Sequence, residues 1–446
     1  MFDTIVAIAT PLAVGAISII RMSGDRSFEI IQKIFSRTLK FDKGFRAYLG
    51  NIIDPSNQQI IDQVIITVFK APKSYTREDV VEINCHGGVY ITKRILQLCL
   101  MQGARLANPG EFSQRAYLNG RLDLAQVEST MDLINATNEH SARIAIEGIG
   151  GNVSNLIAPL AKQLMDIIAH IETNIDYPEY HDVEVLTHSI LIPKCKELLE
   201  KLNHLYNDSK QGQVIKDGLK TAIIGKPNVG KSSLLNLLIG EDKALVTDIA
   251  GTTRDVVEGS VRLDNITLNL MDTAGIHETN DLVEKLGVDK SFQVLNQADL
   301  ILLVIDGSKP LDTYDQNLLE ATKNKQRIIV YNKQDLGLIF TLDDNSCAVS
   351  VLNNDIEALI KILNDRYYEY YQTSLQPFLI NERQLICLSL AKDELLIALN
   401  DLEQNQVLDL VNIDLYACYK HLTSIIMPVD QIDLVHEIFS RFCLGK

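Results

Sequence analysis

The run GKPNVGKSS, Gly225 to Ser233, constrains this chain more than any other stretch. It fits the pattern G-x-x-x-x-G-K-S and lies between an apolar run, TAIIG, and SSLLNLLIG, whose leucines recur at helical spacing. A strand that feeds a helix through a glycine-rich turn aims its backbone N–H groups, with the positive end of the helix dipole, at an anion. That reading places Asn228, Val229, Gly230, Lys231, Ser232 and Ser233 around phosphate oxygens. Lys231 then reaches the β and γ phosphates, and the Ser232 hydroxyl ligates Mg²⁺.

Further elements follow in the order a nucleoside triphosphate site requires. DTAG, the residues Asp272, Thr273, Ala274 and Gly275, closes an apolar strand. There Asp272 faces the Mg²⁺ shell and the Gly275 N–H lies near the γ-phosphate. NKQD, Asn332, Lys333, Gln334 and Asp335, follows RIIVY. An aspartate accepts two N–H bonds from guanine but meets an acceptor nitrogen on adenine, so Asp335 selects GTP over ATP. After the next strand, Val351 offers its backbone N–H to guanine O6. The residue after DTAG is Ile276, where Ras-like enzymes carry a water-orienting glutamine, so hydrolysis needs another arrangement.

Around this core the apolar pattern changes three times. TIVAIATP, AISIIRMSG, RAYLGNIID, QVIITVFKAP and DVVEINCHGG read as strands, with a helix at about 91–102, so an α+β domain is expected over 1–117. LAQVESTMDLINA and LIAPLAKQLMDIIAHIETNI carry apolar residues at three and four spacing, giving a helical domain over 118–214. Over 215–375 strands alternate with helices, which predicts a doubly wound, mostly parallel sheet covered on both faces. Over 376–446 the helical pattern resumes, so the α/β domain is expected as an insertion in one helical domain.

Composition narrows what such a chain does. With 42 Lys and Arg against 58 Asp and Glu, the formal net charge is -16, so any nucleic-acid contact is local or shared with a partner. The seven cysteines form no C-x-x-C pair and read as free thiols in a reducing compartment. No apolar run reaches the roughly 18 residues of a membrane span, and a cytoplasmic protein is expected.

Taken together, these motifs resemble the tRNA modification GTPase family MnmE, also called TrmE. The match runs essentially from end to end. Its most specific stretches are GKPNVGKSS, VTDIAGTTRD, DTAG with a glutamate twelve positions on, NPGEFSQRAYLNGRLDLAQVE, DVVEINCHGG and the terminal C-x-G-K. The resemblance implies a potassium-activated GTP hydrolase. Asn228 with Thr247, Ile249 and Thr252 would hold K⁺, Thr253 would be the second Mg²⁺ ligand, and Asp248, Ala250 and Gly251 complete that nucleotide-binding loop. A monovalent cation beside the phosphates would supply the charge that an arginine finger supplies elsewhere. Glu284, taken alone a solvated helix residue in ETNDLVEKLG, matches the family's catalytic glutamate.

The resemblance also implies an N-terminal domain that binds a reduced folate, 5-formyl- or methylene-tetrahydrofolate, and forms a homodimer. Arg21, Glu82, Arg121 and Lys446 match the folate contacts, and Cys443 in the terminal FCLGK would act in the one-carbon chemistry. The implied partner is a flavoprotein, MnmG or GidA, in a heterotetramer or larger. With it, the family installs an aminomethyl or carboxymethylaminomethyl group at carbon 5 of the wobble uridine of certain tRNAs. No G-x-G-x-x-G follows a strand here, so the flavin would be the partner's.

Three departures stand out: PLAVGAIS replaces a PxGRGG-type loop, His277 stands at an arginine position after DTAG, and the tail is CLGK where CIGK is common. Two other readings compete. A regulatory or ribosome-assembly GTPase switch would do without folate, but the acidic helical tail offers no basic RNA-binding module. A prenyl anchor at Cys443 is disfavoured by Lys446 and by the absence of a polybasic run.

Overall fold

The computed structural model describes residues 3–40, 45–136, 139–176, 188–240, 257–263, 267–271, 298–373, 379 and 381–427. In chain order the strands and helices are β1 (Ile5–Ile8), β2 (Ile17–Ser23), α1 (Ser27–Ile34), β3 (Arg46–Ile53), β4 (Ile60–Phe69), β5 (Val80–His86), α2 (Val89–Met101), β6 (Arg105–Leu106), α3 (Glu111–Leu118), α4 (Leu124–Asn135), α5 (Glu139–Ile149), α6 (Asn152–Asp176) and α7 (His188–Asp217). There follow β7 (Leu219–Ile224), α8 (Lys231–Gly240), β8 (Val257–Arg262), β9 (Thr267–Met271), β10 (Leu300–Asp306), α9 (Thr313–Ala321), β11 (Arg327–Asn332), β12 (Ser346–Ala348), α10 (Glu357–Thr373), α11 (Glu382–Glu403) and α12 (Leu408–Ser424). They divide into two compact units, one of residues 1–199 with 387–446 and one of residues 200–386, which is nested within the first along the sequence.

The first unit begins with a six-stranded sheet in the order β3-β4-β5-β2-β1-β6. Its pairings are antiparallel except β1 with β6. Strand alternation decides its faces. Ile20, Met22, Val81, Ile83, Val64, Ile66 and Val68 are buried in one cluster with Phe28, Ile30 and Ile31 of α1 and Ile95 and Leu98 of α2. Their neighbours Arg21 and Glu82 therefore face the other way, where Ile5, Ala7, Ala107 and Phe112 form a smaller cluster with Tyr75 packed against it.

That second face is tied down by charge. Arg115, whose side chain is 3% exposed, sits 2.9 Å from Asp3, 3.2 Å from Glu78 and 3.0 Å from Glu111. Glu111 also receives Arg105 at 2.6 Å and the Asn108 N–H at 2.8 Å. A buried guanidinium is tolerable only with such partners, and this network explains the motif NPGEFSQR. Hydrogen bonds from Arg105 and Arg115 hold the Asp3 carboxyl at about 2 although burial opposes them.

The helical part of this unit opens with a capping box, in which Asp123 accepts the Gln126 N–H and the Gln126 side chain accepts the Asp123 N–H. The C-terminal segment folds back onto it: the Leu124 N–H donates to the Ile426 carbonyl at 3.0 Å, and the Tyr416 hydroxyl donates to Glu172 at 2.7 Å.

The second unit holds a sheet in the order β12-β11-β10-β7-β9-β8, parallel except for β8. The two faces of the buried strand β10 (Leu300–Asp306) feed different cores. Leu300, Leu302 and Val304 join one with Leu234 and Leu238 of α8, and Ile301, Leu303 and Ile305 join the other with Leu318 of α9. This is the doubly wound, mostly parallel sheet that the alternating pattern predicts. The antiparallel strand β8 is an addition, because VEGSVR carries only two apolar residues. Among the described residues no helix is long and apolar enough to cross a membrane.

Candidate nucleotide site and a second cluster

From β7 the chain turns to β9 and β8 on one side and then to β10, β11 and β12 on the other. The sheet order reverses at β7, and open α/β sheets bind ligands at the carboxyl ends of strands beside such a point. The loop Gly225–Gly230 lies there.

Its conformation depends on glycine at two places. Gly225 has φ +155°, and a Cβ on it would stand 2.3 Å from the Val304 carbonyl oxygen of β10. Gly230 has φ +97°, and a Cβ on it would stand 2.3 Å from Asn332 Nδ2. Asn332 is the tie-piece of the site: its Nδ2 donates to the Val229 carbonyl at 2.8 Å, and its Oδ1 accepts the Val351 N–H at 3.1 Å. One buried amide thus joins the phosphate loop, the end of β11 and the loop after β12. The Val351 N–H expected to meet guanine O6 is engaged by Asn332 in this conformation, because the side-chain carbonyl lies within its reach.

Asp335 lies in a short 3₁₀ turn, Gln334–Leu336, exposed to solvent, and its Oδ1 accepts the Ser350 hydroxyl at 2.6 Å. That bond fixes the orientation of an otherwise exposed carboxylate. Lys333 takes the left-handed conformation, φ +67°, and its Nζ lies 2.8 Å from Asp306 Oδ2. Burial opposes ionisation of Asp306, yet hydrogen bonds from Lys333 and Ser308 hold it at about 2. Since this lies below the ordinary 3.8, the pair's contribution to stability is whole above about pH 4 and is lost as pH falls toward 2. Melting temperature measured from pH 5 to pH 2 is therefore expected to fall more steeply for the native chain than for Asp306→Asn.

Lys231 is buried, and its Nζ donates to the Lys226 carbonyl at 2.7 Å. Burial lowers its pKa. A buried ammonium whose partner is a neutral carbonyl is short of an anion, and a phosphate supplies one. Ser232 and Ser233 open α8 with exposed side chains, which leaves the Ser232 hydroxyl accessible to a Mg²⁺ ion. Asn228 is exposed with φ +64°. Thr247, Asp248, Ile249, Ala250, Gly251, Thr252, Thr253, Asp272, Thr273, Ala274, Gly275, His277 and Glu284 lie outside the described residues, as do Cys443 and Lys446.

In the first unit, Arg21 and Glu82 are direct cross-strand partners, with the Arg21 Nε 2.9 Å from Glu82 Oε1. The Arg21 guanidinium lies 5.7 Å from the centre of the Tyr75 ring, and that of Arg121 lies 5.5 Å from it. Arg121 donates to the Ser74 carbonyl, and the Tyr75 and Ser113 hydroxyls are hydrogen-bonded at 2.8 Å. Two arginines a hundred positions apart in sequence thus meet at one ring, and Glu82 is joined to it through Arg21. Two guanidiniums and a carboxylate there can pair an anionic group and accept ring N–H donors. Tyr75 escaped the sequence reading; an aromatic residue inside the polar run KSYTRED was its one signal.

With this geometry in place, comparison with known proteins decides the family. The profile described as the MnmE helical domain matches residues 124–443, and that described as the GTP-binding protein TrmE N-terminus matches residues 4–121. The chain belongs to the MnmE family of tRNA modification GTPases. Full-length relatives agree. The tRNA modification GTPase MnmE of Enterococcus faecalis is 45% identical, covering 100% of this chain and 98% of that protein. That of Pediococcus pentosaceus is 46% identical with the same coverages. The G domain of the T. maritima FeoB iron transporter aligns at 26% identity and TM-score 0.24 over 34% of this chain and 98% of its own, a likeness too slight to argue from. The protein is a P-loop GTPase with a TrmE-type N-terminal domain and an MnmE helical domain.

Proposed function

We propose that this chain is a potassium-activated GTPase that binds a reduced folate and, with a flavin-dependent partner, modifies carbon 5 of the wobble uridine in certain tRNAs. The chain then divides into a folate-binding and dimerising domain (1–117), a helical domain in two parts (118–214 and 376–446) and a G domain (215–375). The observation that carries it is the meeting of Arg21, paired with Glu82, and Arg121 at the Tyr75 ring, in a chain whose full-length relatives are named tRNA modification GTPases.

In this account the chain's own residues divide the work. Lys231 leaves the Lys226 carbonyl for the phosphates, Ser232 and Thr253 hold Mg²⁺, and Asp335 reads the base. Asn228, Thr247, Ile249 and Thr252 hold K⁺, and Glu284 orients the water. The two cations supply charge against the negative charge that builds on the phosphates. In the N-terminal domain Glu82 accepts N–H groups of the folate ring, while Arg21, Arg121 and Lys446 pair with its anionic tail. Cys443 acts in the one-carbon chemistry.

Two measurements test this. GTP turnover in equal concentrations of K⁺ and Na⁺ is expected to be faster in K⁺ and to collapse in Glu284→Ala; equal rates would remove the potassium step. Equilibrium dialysis with 5-formyl-tetrahydrofolate is expected to show binding that weakens about tenfold or more in Arg21→Ala. A chain that binds no folate would instead be a regulatory GTPase switch.

A further inference from the structure

Lys226 is the second residue of the phosphate loop, at a position where the loop pattern allows any residue. Its surroundings are not arbitrary. The Nζ lies 2.9 Å from Asp312 Oδ2 and 2.7 Å from Asp315 Oδ2. Both carboxylates lie at the start of α9, Asp312 as its N-cap and Asp315 in its first turn, where they also form its capping box: Asp312 Oδ1 accepts the Asp315 N–H at 3.0 Å, and Asp315 Oδ2 accepts the Asp312 N–H at 3.4 Å. The Asp315 side chain is 2% exposed, and its Oδ1 has no hydrogen-bond partner. Lys226 is therefore the one cation paired with that buried carboxylate among the described residues. The backbone of the same residue does a second job, since its carbonyl accepts Lys231 Nζ at 2.7 Å.

We propose that Lys226 is a positioning residue of the nucleotide site, anchoring the start of the phosphate loop to α9 through Asp312 and Asp315 and holding out its carbonyl as the resting partner of Lys231. A cation between two carboxylates resists displacement more than one on a single carboxylate, and Asp315 cannot turn to water for a substitute. The anchor fixes the backbone from Lys226 onward, so the amides of the loop are held for phosphate before it arrives. The carbonyl keeps the Lys231 ammonium hydrogen-bonded in the empty site and releases it when a charged oxygen competes.

The test is nucleotide dissociation from the full-length chain, followed with a fluorescent GDP, together with steady-state GTP turnover. Lys226→Met is expected to speed dissociation about tenfold, with a larger change in KM than in kcat, and Lys226→Arg to restore both to within about threefold of the native chain. Asp312→Asn with Asp315→Asn is expected to give the same loss, and adding Lys226→Met to that pair to cost nothing more. Native dissociation in Lys226→Met, or losses that multiply in the triple variant, would overturn the proposal. Should Lys226→Met fail to fold, Asp312→Asn, which removes the exposed half of the clamp, carries the test. About threefold faster dissociation would support the anchor, and an unchanged rate would overturn it.

Discussion

Asp335→Asn is expected to weaken GTP binding by about two orders of magnitude or more and to admit xanthosine triphosphate in its place. The Asp335 carboxylate can only accept hydrogen bonds, and guanine offers it two N–H donors. An asparagine turned to accept from one of them aims its NH₂ at the other, so a bond is lost and a donor is left facing a donor. Xanthine carries a carbonyl where guanine carries its amine, so the same NH₂ finds an acceptor. The Ser350 hydroxyl, 2.6 Å from Asp335 Oδ1, can bond the asparagine oxygen equally well, so the side chain is expected to keep its place. Titration of fluorescent GTP and xanthosine analogues measures the exchange. GTP affinity within about threefold of the native value would show that Asp335 does not read the base.

Gly230→Ala is expected to cost at least as much, through geometry in place of charge. The new Cβ would fall 2.3 Å from Asn332 Nδ2, on a backbone with φ +97°. A left-handed backbone costs a non-glycine residue about 1–3 kcal/mol. Asn332 cannot move aside cheaply, because it is buried and its two hydrogen bonds join Val229 to Val351. Breaking them strands buried polar groups at about 1–3 kcal/mol each. The expected results are a melting temperature lowered for the G domain and nucleotide affinity reduced at least about 100-fold. Native affinity in this variant would mean that the loop binds phosphate in another conformation.

The sheet of the second unit was legible in the sequence because each buried strand is a short apolar run bounded by turn residues. LILLVID, TAIIG and RIIVYNK could hardly be read otherwise. The strand β8 and the helix α3 were less legible for opposite reasons. VEGSVR has too little apolar surface to declare a strand and pairs at the sheet edge. EFSQRAYL buries charged residues, Glu111 and Arg115, that periodicity assigns to solvent.

The phosphate loop, Asp335 and the grouping of Arg21 with Glu82 were readable from motifs. The parts around them were not, because they rest on contacts across long separations. Asn332 reaches Val229, 103 positions away, and Lys226 reaches Asp315, 89 positions away. No local pattern announces such pairs. Tyr75 was hidden similarly, since nothing in KSYTRED says that two arginines from other elements converge on its ring.

GTP hydrolysis by this chain is proposed to serve modification of the wobble uridine. Nucleoside mass spectrometry of tRNA from cells lacking the chain tests it most directly. The aminomethyl or carboxymethylaminomethyl group at carbon 5 of that uridine is expected to disappear, to return with the native chain and not to return with Cys443→Ser. Unchanged wobble uridines in those cells would contradict it.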